Sequence, residues 1–379
     1  MTLPLSTSGF DGAISTRVVF GPGCSAQVGA LARELGGRHV LLVTDPGLVE
    51  AGHEAHTRRF LTAAGLRVTL FDRVAENPSS TLVDECADFA RAAGIDFIVG
   101  LGGGSSMDVA KGCNFILTNG GRMEDYWGYG KATQPMLPLI AIPTTTGTGS
   151  ECQSFALIAH PVTHRKMACG DPKAAARVAL LDPNLTLTLP RHIAAATGID
   201  ALAHAVETAV TRKRTPVSWP LSREAFRLCF ENYPLVLTQP ANVAARAGLL
   251  LGAAYAGAAI ENSMLGATHS AANPLTAQHG LVHGHAIGLM LPHVVRFNAE
   301  DPATRQVYAE LTGRNGAELA DRLAELVGLA GLPRRLNDVD IPAQNLPHLA
   351  TAAVQEWTAQ FNPRPVTAHD FLALYQAAS

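Results

Sequence analysis

The stretch Asp96–Asn119, DFIVGLGGGSSMDVAKGCNFILTN, decides the fold class. An apolar run rich in β-branched residues ends at three glycines, Gly102, Gly103 and Gly104, and a helix-forming segment opens at Ser105 and Ser106. That is strand, tight turn, helix. Glycine lets backbone approach a pyrophosphate closely, and the helix start offers free N–H groups and the positive end of a dipole. The same alternation extends to both sides. His39–Asp45 (HVLLVTD), Arg67–Val74 (RVTLFDRV) and Pro138–Thr145 (PLIAIPTT) read as strands. Segments around Glu54–Ala64 and Ser79–Gly94 read as helices, the second capped by Ser79 or Ser80. Strands and helices alternating at this pitch predict a doubly wound, mainly parallel α/β sheet.

From about Leu189 the character changes. Long Ala- and Leu-rich segments take over at Ala194–Thr211, Leu221–Tyr233, Ala241–Glu261 and Ala317–Ala330. These predict an all-α second domain. Pro183 and Pro190 flank the changeover, so the expected division is an α/β dinucleotide-binding domain over 1–189 and a helical metal and substrate domain over 190–379.

A chain of 379 residues with 47% hydrophobic and 16% charged content can bury two sizeable cores. Its net charge of −3, with no basic cluster, argues against nucleic acid or an anionic membrane as partner. The six cysteines, Cys24, Cys86, Cys113, Cys152, Cys169 and Cys229, form no CxxC pair and read as reduced thiols of a cytoplasmic protein. The start, MTLPLSTSGFDGAIS, lacks a signal-peptide pattern, and the apolar stretch Gly248–Ile260 is too short to span a bilayer.

Chemistry-bearing residues fall into two groups. In AATGIDALAHAVETAV, Asp200 and His204 stand four apart, which puts both on one helical face. About sixty residues later, His269, His279, His283, His285 and His293 crowd a short Gly-rich block, although the chain has only 14 histidines. One carboxylate with the imidazoles of His204, His269 and His283 makes a set suited to iron(II) or zinc. Glu207, one turn past His204, reads as a solvated helix residue rather than a carboxylate behind a metal. The second group belongs to the α/β half. The Gly102–Gly104 turn is not GxGxxG, so it departs from the common dinucleotide fingerprint. IPTTTGTGSE (Ile142–Glu151) places hydroxyls on flexible backbone after a strand. Asp45 ends another strand, where a carboxylate either binds ribose hydroxyls, favouring NAD over NADP, or caps the helix after Pro46.

Four blocks, GGGSSMD at Gly102–Asp108, PTTTGTGSE at Pro143–Glu151, GIDALAHAVE at Gly198–Glu207, and Gly266 through HGHAIGLMLPHV, stand in the order seen in one enzyme family. The chain resembles the iron-dependent (group III) alcohol dehydrogenases of the dehydroquinate synthase-like superfamily. The resemblance implies hydride transfer between nicotinamide C4 and a small primary alcohol or aldehyde bound to a divalent metal, in a cleft between the two domains. It implies Asp200, His204, His269 and His283 as metal ligands, with Fe2+ expected and Zn2+ as the alternative. It puts Gly102–Ser105 and Asp108 at the cofactor pyrophosphate, Thr144, Thr145 and Thr148 in the same pocket, and Asn77 and Lys166 facing the cofactor. Ile260 and Asn262 would face the substrate, and a homodimer or larger homo-oligomer is expected. The chain departs from the pattern where members carry a proton-relay histidine four residues after the third ligand. Asn273 stands there, an amide that cannot titrate near neutral pH, so either a water chain through the ribose or a neighbour such as His279 or His285 is expected to take over the relay, or the substrate differs or activity is lower. Three rival readings are a metal-free maleylacetate-type reductase, a zinc glycerol-dehydrogenase-like enzyme, and a non-catalytic nucleotide-binding homologue.

Overall fold

The structure, a computed structural model, describes residues 10, 12–313 and 316–379. Contacts group the chain into two compact units. Ile14–Leu189 forms one, and Pro190–Ser379 forms the other together with the described residues Phe10, Gly12 and Ala13.

The first unit carries, in chain order, β1 (Arg17–Phe20), α1 (Val28–Glu34), β2 (His39–Val43), α2 (Pro46–Glu50), α3 (His53–Ala63), β3 (Arg67–Phe71), α4 (Ser80–Ala93), β4 (Phe97–Gly102), α5 (Gly104–Asn119), β5 (Gly128–Tyr129), β6 (Leu139–Pro143), β7 (Phe155–Ala159), β8 (Lys166–Gly170) and β9 (Val178–Leu181). Six strands make one parallel sheet in the order β1-β9-β6-β4-β2-β3. The alternation of side chains along the central strands explains the two-sided cover. Val40, Leu42, Phe97, Val99 and Leu101 feed one apolar cluster, while Leu41, Val43 and Ile98 feed the other. A strand buried on both faces reads as a continuous apolar run, which is why HVLLV and FIVGL are recognisable in sequence. The chain runs from β2 out to β3 and then returns across β2 to β4. The order therefore reverses between β2 and β4, and crevices at such reversals are the usual ligand sites of open α/β sheets. A second sheet, β5-β8-β7, with β7 and β8 antiparallel, lies outside the sequence expectation. Its connection through His160–Arg165 carries no Asn-Gly or Asp-Gly hairpin signal.

In the second unit the helices are α6 (Arg191–Val210), α7 (Ser218–Thr238), α8 (Val243–Glu261), α9 (Ala267–His279), α10 (His283–Asn298), α11 (Pro302–Thr312), α12 (Leu319–Ala330), α13 (Leu346–Gln355) and α14 (Ala368–Ala377). Among the described residues this unit contains no strand. By length and hydropathy α6 and α8 would qualify to cross a membrane, but 83% and 67% of their apolar windows are buried inside the protein. They are core helices of this unit. Close approach comes from small residues. Tyr233 of α7 lies against Gly198 of α6 and donates its hydroxyl to the Ala195 carbonyl at 2.6 Å. A Cβ on Gly284 in α10 would stand 2.1 Å from the Ala196 carbonyl oxygen of α6, so only glycine permits that helix crossing.

Gly284→Ala should therefore force α10 away from α6, because the obstacle is backbone. The expected loss is about 1–3 kcal/mol in denaturant unfolding of the second unit, the usual range for overpacking. An unchanged unfolding midpoint would show that the helices can part freely.

Candidate metal centre and nucleotide loops

Helix α6 is nearly all apolar, and almost every side chain from Ala194 to Val210 is buried. Asp200 and His204 interrupt it one turn apart, at 5% exposure each. The first turns of α9 and α10 supply His269 and His283. All three imidazoles turn Nε2 toward one atom. Asp200 Oδ1 lies 3.5 Å from His204 Nε2, 3.4 Å from His269 Nε2 and 3.8 Å from His283 Nε2. The candidate ligand atoms of Asp200, His269 and His283 all lie within 4.8 Å of one another. Donors about 2.1 Å from one cation in tetrahedral array are separated by about 3.4 Å, so these spacings match a single coordination shell. Among the described residues, neither Asp200 Oδ1 nor His269 Nε2 makes a hydrogen bond, although both are buried. Buried polar atoms are rarely left so, and a cation is the partner that satisfies a carboxylate oxygen and imidazole lone pairs together. One oxygen and three nitrogens suit iron(II) or zinc alike.

The electrostatics agree. Burial pushes the Asp200 carboxyl up, but His204, His269 and His283 around it outweigh burial and hold it well below the usual carboxylate range. Burial alone would depress the His269 imidazolium. The Glu207 and Asp200 carboxylates on its two sides overcome that and push it up to about 9 in the metal-free site. Glu207 corrects the sequence reading. It is 4% exposed rather than solvated, accepts the Thr268 N–H at 2.7 Å through Oε1, and meets His269 Nδ1 through Oε2. Its position seven after Asp200 on a helix that is otherwise apolar is the available signal.

The other expected residues of this unit are placed differently. Asn273 follows His269 by one turn of α9, and its amide nitrogen donates to Glu356 Oε2 at 2.9 Å. His279 closes α9, ten residues beyond His269 and about 15 Å along the helix axis. His285 follows His283 by two positions in α10, about 200° around the helix. Neither histidine belongs to the donor group that converges on Asp200, because helix rise removes one and helix phase removes the other. Ile260 is buried near the end of α8. Asn262 caps that end, donating its amide to the Ala258 and Ala13 carbonyls at 3.0 Å each.

In the α/β unit the three suspected nucleotide segments follow three adjacent strands, β2, β4 and β6, at their C-terminal ends. Gly102 has φ +149°, and a Cβ there would strike the Ser106 side chain at 2.5 Å. A Cβ on Gly104 would strike Thr148 at 2.7 Å, and one on Gly103 would press on Thr145 at 3.2 Å. Thr144 N–H donates to the Gly102 carbonyl at 3.0 Å. The glycine turn and the threonine loop thus form one packed surface, with Gly103–Ser105, Thr145 and Thr148 partly exposed on it. No described side chain caps α5, whose N-cap is Gly103. Such a start leaves N–H groups for an anion. Asp45 does cap α2, accepting the Leu48 N–H at 3.1 Å, and its other oxygen receives Ser106 Oγ at 3.4 Å. Asn77 is exposed in a turn with φ 50°, and Lys166 begins β8 half-buried.

Asp108 takes an interior role instead of facing a pyrophosphate, where a carboxylate would repel the anion. Its carboxylate accepts Ser150 Oγ at 3.0 Å, and Ser150 Oγ accepts from the fully buried Lys111 at 2.9 Å. Burial raises the Asp108 carboxyl to about 6 even though Lys111 and Ser150 pull it down. Lys111 also donates to the Ser150 and Phe155 carbonyls, at 2.6 and 2.9 Å. This network ties the threonine loop to α5 from beneath, and Lys111 is the residue that sequence reading passes over.

Comparison with known proteins identifies the family and agrees with the fold. The family models described as "Iron-containing alcohol dehydrogenase" and "Fe-containing alcohol dehydrogenase family, C-terminal" match residues 15–183 and 194–379. The NAD-dependent methanol dehydrogenase of Bacillus methanolicus is 32% identical over 370 residues, covering 95% of this chain and 97% of its own. Lactaldehyde reductase of Escherichia coli K12 is 32% identical over 368 residues, with 93% and 95% covered. The crystal structure of a 1,3-propanediol oxidoreductase superposes with a TM-score of 0.93 at 32% identity, over 98% of this chain and 100% of that one. With Asp200 and three histidines converging as they do, the chain belongs to the iron-containing alcohol dehydrogenase family.

Proposed function

We propose that this protein interconverts a small primary alcohol and its aldehyde, with NAD as hydride carrier and a divalent metal, Fe2+, at the Asp200 centre. The observation that carries this reading is the convergence of three imidazoles on one buried carboxylate oxygen, 3.4–3.8 Å away. When bound, the cation supplies Lewis-acid polarisation of the substrate oxygen, worth several kcal/mol of charge stabilisation. Asp200, His204, His269 and His283 hold it, and all but the partly exposed His283 are buried, which keeps water from competing for those ligand atoms. Gly103–Ser105 with Thr145 and Thr148 receive the cofactor diphosphate, and Asp45, at the end of β2, receives ribose hydroxyls and disfavours a 2′-phosphate. Asn273 contributes hydrogen bonding but no titration, and its amide is held by Glu356. Six buried free thiols support a reducing, cytoplasmic setting. Exposed Val18 and Phe20 on edge strand β1 support a homo-oligomer, because an apolar edge of this kind is a pairing surface.

His269→Ala should lose bound metal and lower metal-dependent aldehyde reduction by more than about 100-fold, beyond the loss typical of an outer-shell partner. Stabilisation by NAD in a thermal shift should survive. The measurement is metal content together with NADH absorbance across short aldehydes, and turnover by metal-free H269A equal to wild type would sink the reading.

A pH dependence follows from His269. Its imidazolium is raised from 6.5 to about 9 in the metal-free protein, so its contribution to stability is complete below 6.5 and is lost as pH rises through about 9. An incoming cation must displace that proton. Apparent metal affinity should therefore fall about tenfold per unit of acidification between about pH 8 and pH 6, with proton release visible by calorimetry in buffers of different ionisation enthalpy. A pH-independent affinity would contradict this assignment.

A further inference from the structure

We propose that Glu207 is a positioning residue that fixes the tautomer of His269 and so aims a metal ligand. The proposal rests on the metal-centre reading and names a device within it. Asp200, His204 and Glu207 occupy positions i, i+4 and i+7 of α6 and share one face. The two ligands come first, and the third side chain passes behind His269. Each oxygen of Glu207 has a separate task. Oε1 accepts the backbone N–H of Thr268 at 2.7 Å, and Oε2 meets Nδ1 of the next residue, His269.

This arrangement exists because α9 has no cap of its own. Its N-cap is Gly266, which has no side chain to offer. The Ala267 N–H is taken instead by Asn362 Oδ1 at 3.2 Å and the Thr268 N–H by Glu207. A carboxylate at a helix start is favoured by the free N–H groups and the dipole, so the position of Glu207 is secured before His269 is considered. An ionised carboxylate can only accept hydrogen bonds. Nδ1 of the neutral, ligating imidazole must then carry the proton, and Nε2 keeps its lone pair toward the Asp200 group. The reverse tautomer would set a nitrogen lone pair against a carboxylate oxygen.

Glu207→Gln discriminates this role from simple space filling, since it keeps size and shape. The Thr268 N–H is a fixed donor and must take the amide oxygen. The amide NH2 then faces Nδ1, which has to become an acceptor, and the His269 proton moves to Nε2, where it blocks the cation. E207Q should bind zinc or cobalt(II) about 10- to 100-fold more weakly than wild type, the range for a lost outer-shell partner. It should be no better than E207A, while E207D, still acceptor-only, should recover part of the loss. Dissociation constants come from chelator competition on metal-free protein, with circular dichroism to confirm folding. E207Q binding metal within a few-fold of wild type would overturn the proposal. If the variants do not fold, nitrogen NMR of histidine-labelled, zinc-loaded wild type decides. A protonated Nδ1 with metal on Nε2 supports the assignment, and metal on Nδ1 of His269 overturns it. Wild type failing to bind zinc or cobalt(II) would instead defeat the metal-centre reading itself, whatever Glu207 does.

Discussion

The helical unit is organised around one costly act, the burial of the Asp200 carboxylate in the middle of an apolar helix. A charge taken out of water is destabilising by several kcal/mol unless neighbours compensate. Within reach on α6 the only compensation is His204, so the rest must come from other helices. The tight crossing of α10 over α6 at Gly284 and Ala196 places His283 there, and the glycine-capped start of α9 places His269. Three imidazoles facing one carboxylate remain mutually uncomfortable, because only a proton or a cation can satisfy their lone pairs at the same point. The positively shifted His269 and the strongly acidic Asp200 are two faces of that single requirement.

How much of this is legible in the sequence depends on the kind of signal. Strands β2, β4 and β6 are plain, since burial on both faces leaves uninterrupted apolar runs bounded by Gly, Asp or Pro. Strand β1 is not, because RVVF is four residues long and lies exposed at a sheet edge. Strand β9 pairs with β1 and β6, a neighbour relation set by tertiary topology that no local pattern encodes. Helices α9 and α10 hide behind their glycines, prolines and histidines; Pro274 and Pro292 fall inside them. The donors they carry are still readable, because clustered histidines are a chemical signal that does not depend on knowing the backbone.

Spacing along the chain is a poorer guide for single residues. Glu207 reads as solvated because a glutamate usually is, yet every residue of α6 from Gly198 to Val210 is buried, so that stretch has no solvated side, even along the face that carries Asp200 and His204. His279 and His285 read as relay groups because they are near ligands in sequence. Helix rise and helix phase decide such questions, and both require knowing that α9 and α10 are helices with a break at Gly280–Val282. Asp108 departs from expectation for a further reason: the first turn of α5 is partly exposed at Gly104 and Ser105 and buried from Ser106 onward, and Asp108 falls on the buried side with Ser150 and Lys111.

Two helix starts show how one local signature serves opposite ends. Both α5 and α9 open after a glycine that offers no side-chain cap, Gly103 and Gly266. At α9 the vacant N–H groups are filled from within the protein, by Glu207 and Asn362, and the helix end becomes a fixed mount for a ligand. At α5 the glycines pack against Thr145 and Thr148, and the carboxylate nearest in sequence, Asp108, is drawn inward by Ser150. Turned outward, Asp108 would have lain against those N–H groups with its own charge. Lys111 prevents this by supplying a buried cation that keeps Ser150 oriented toward Asp108. The interior hydrogen-bond network thus keeps a carboxylate away from one helix start, while Glu207 and Asn362 fill the other.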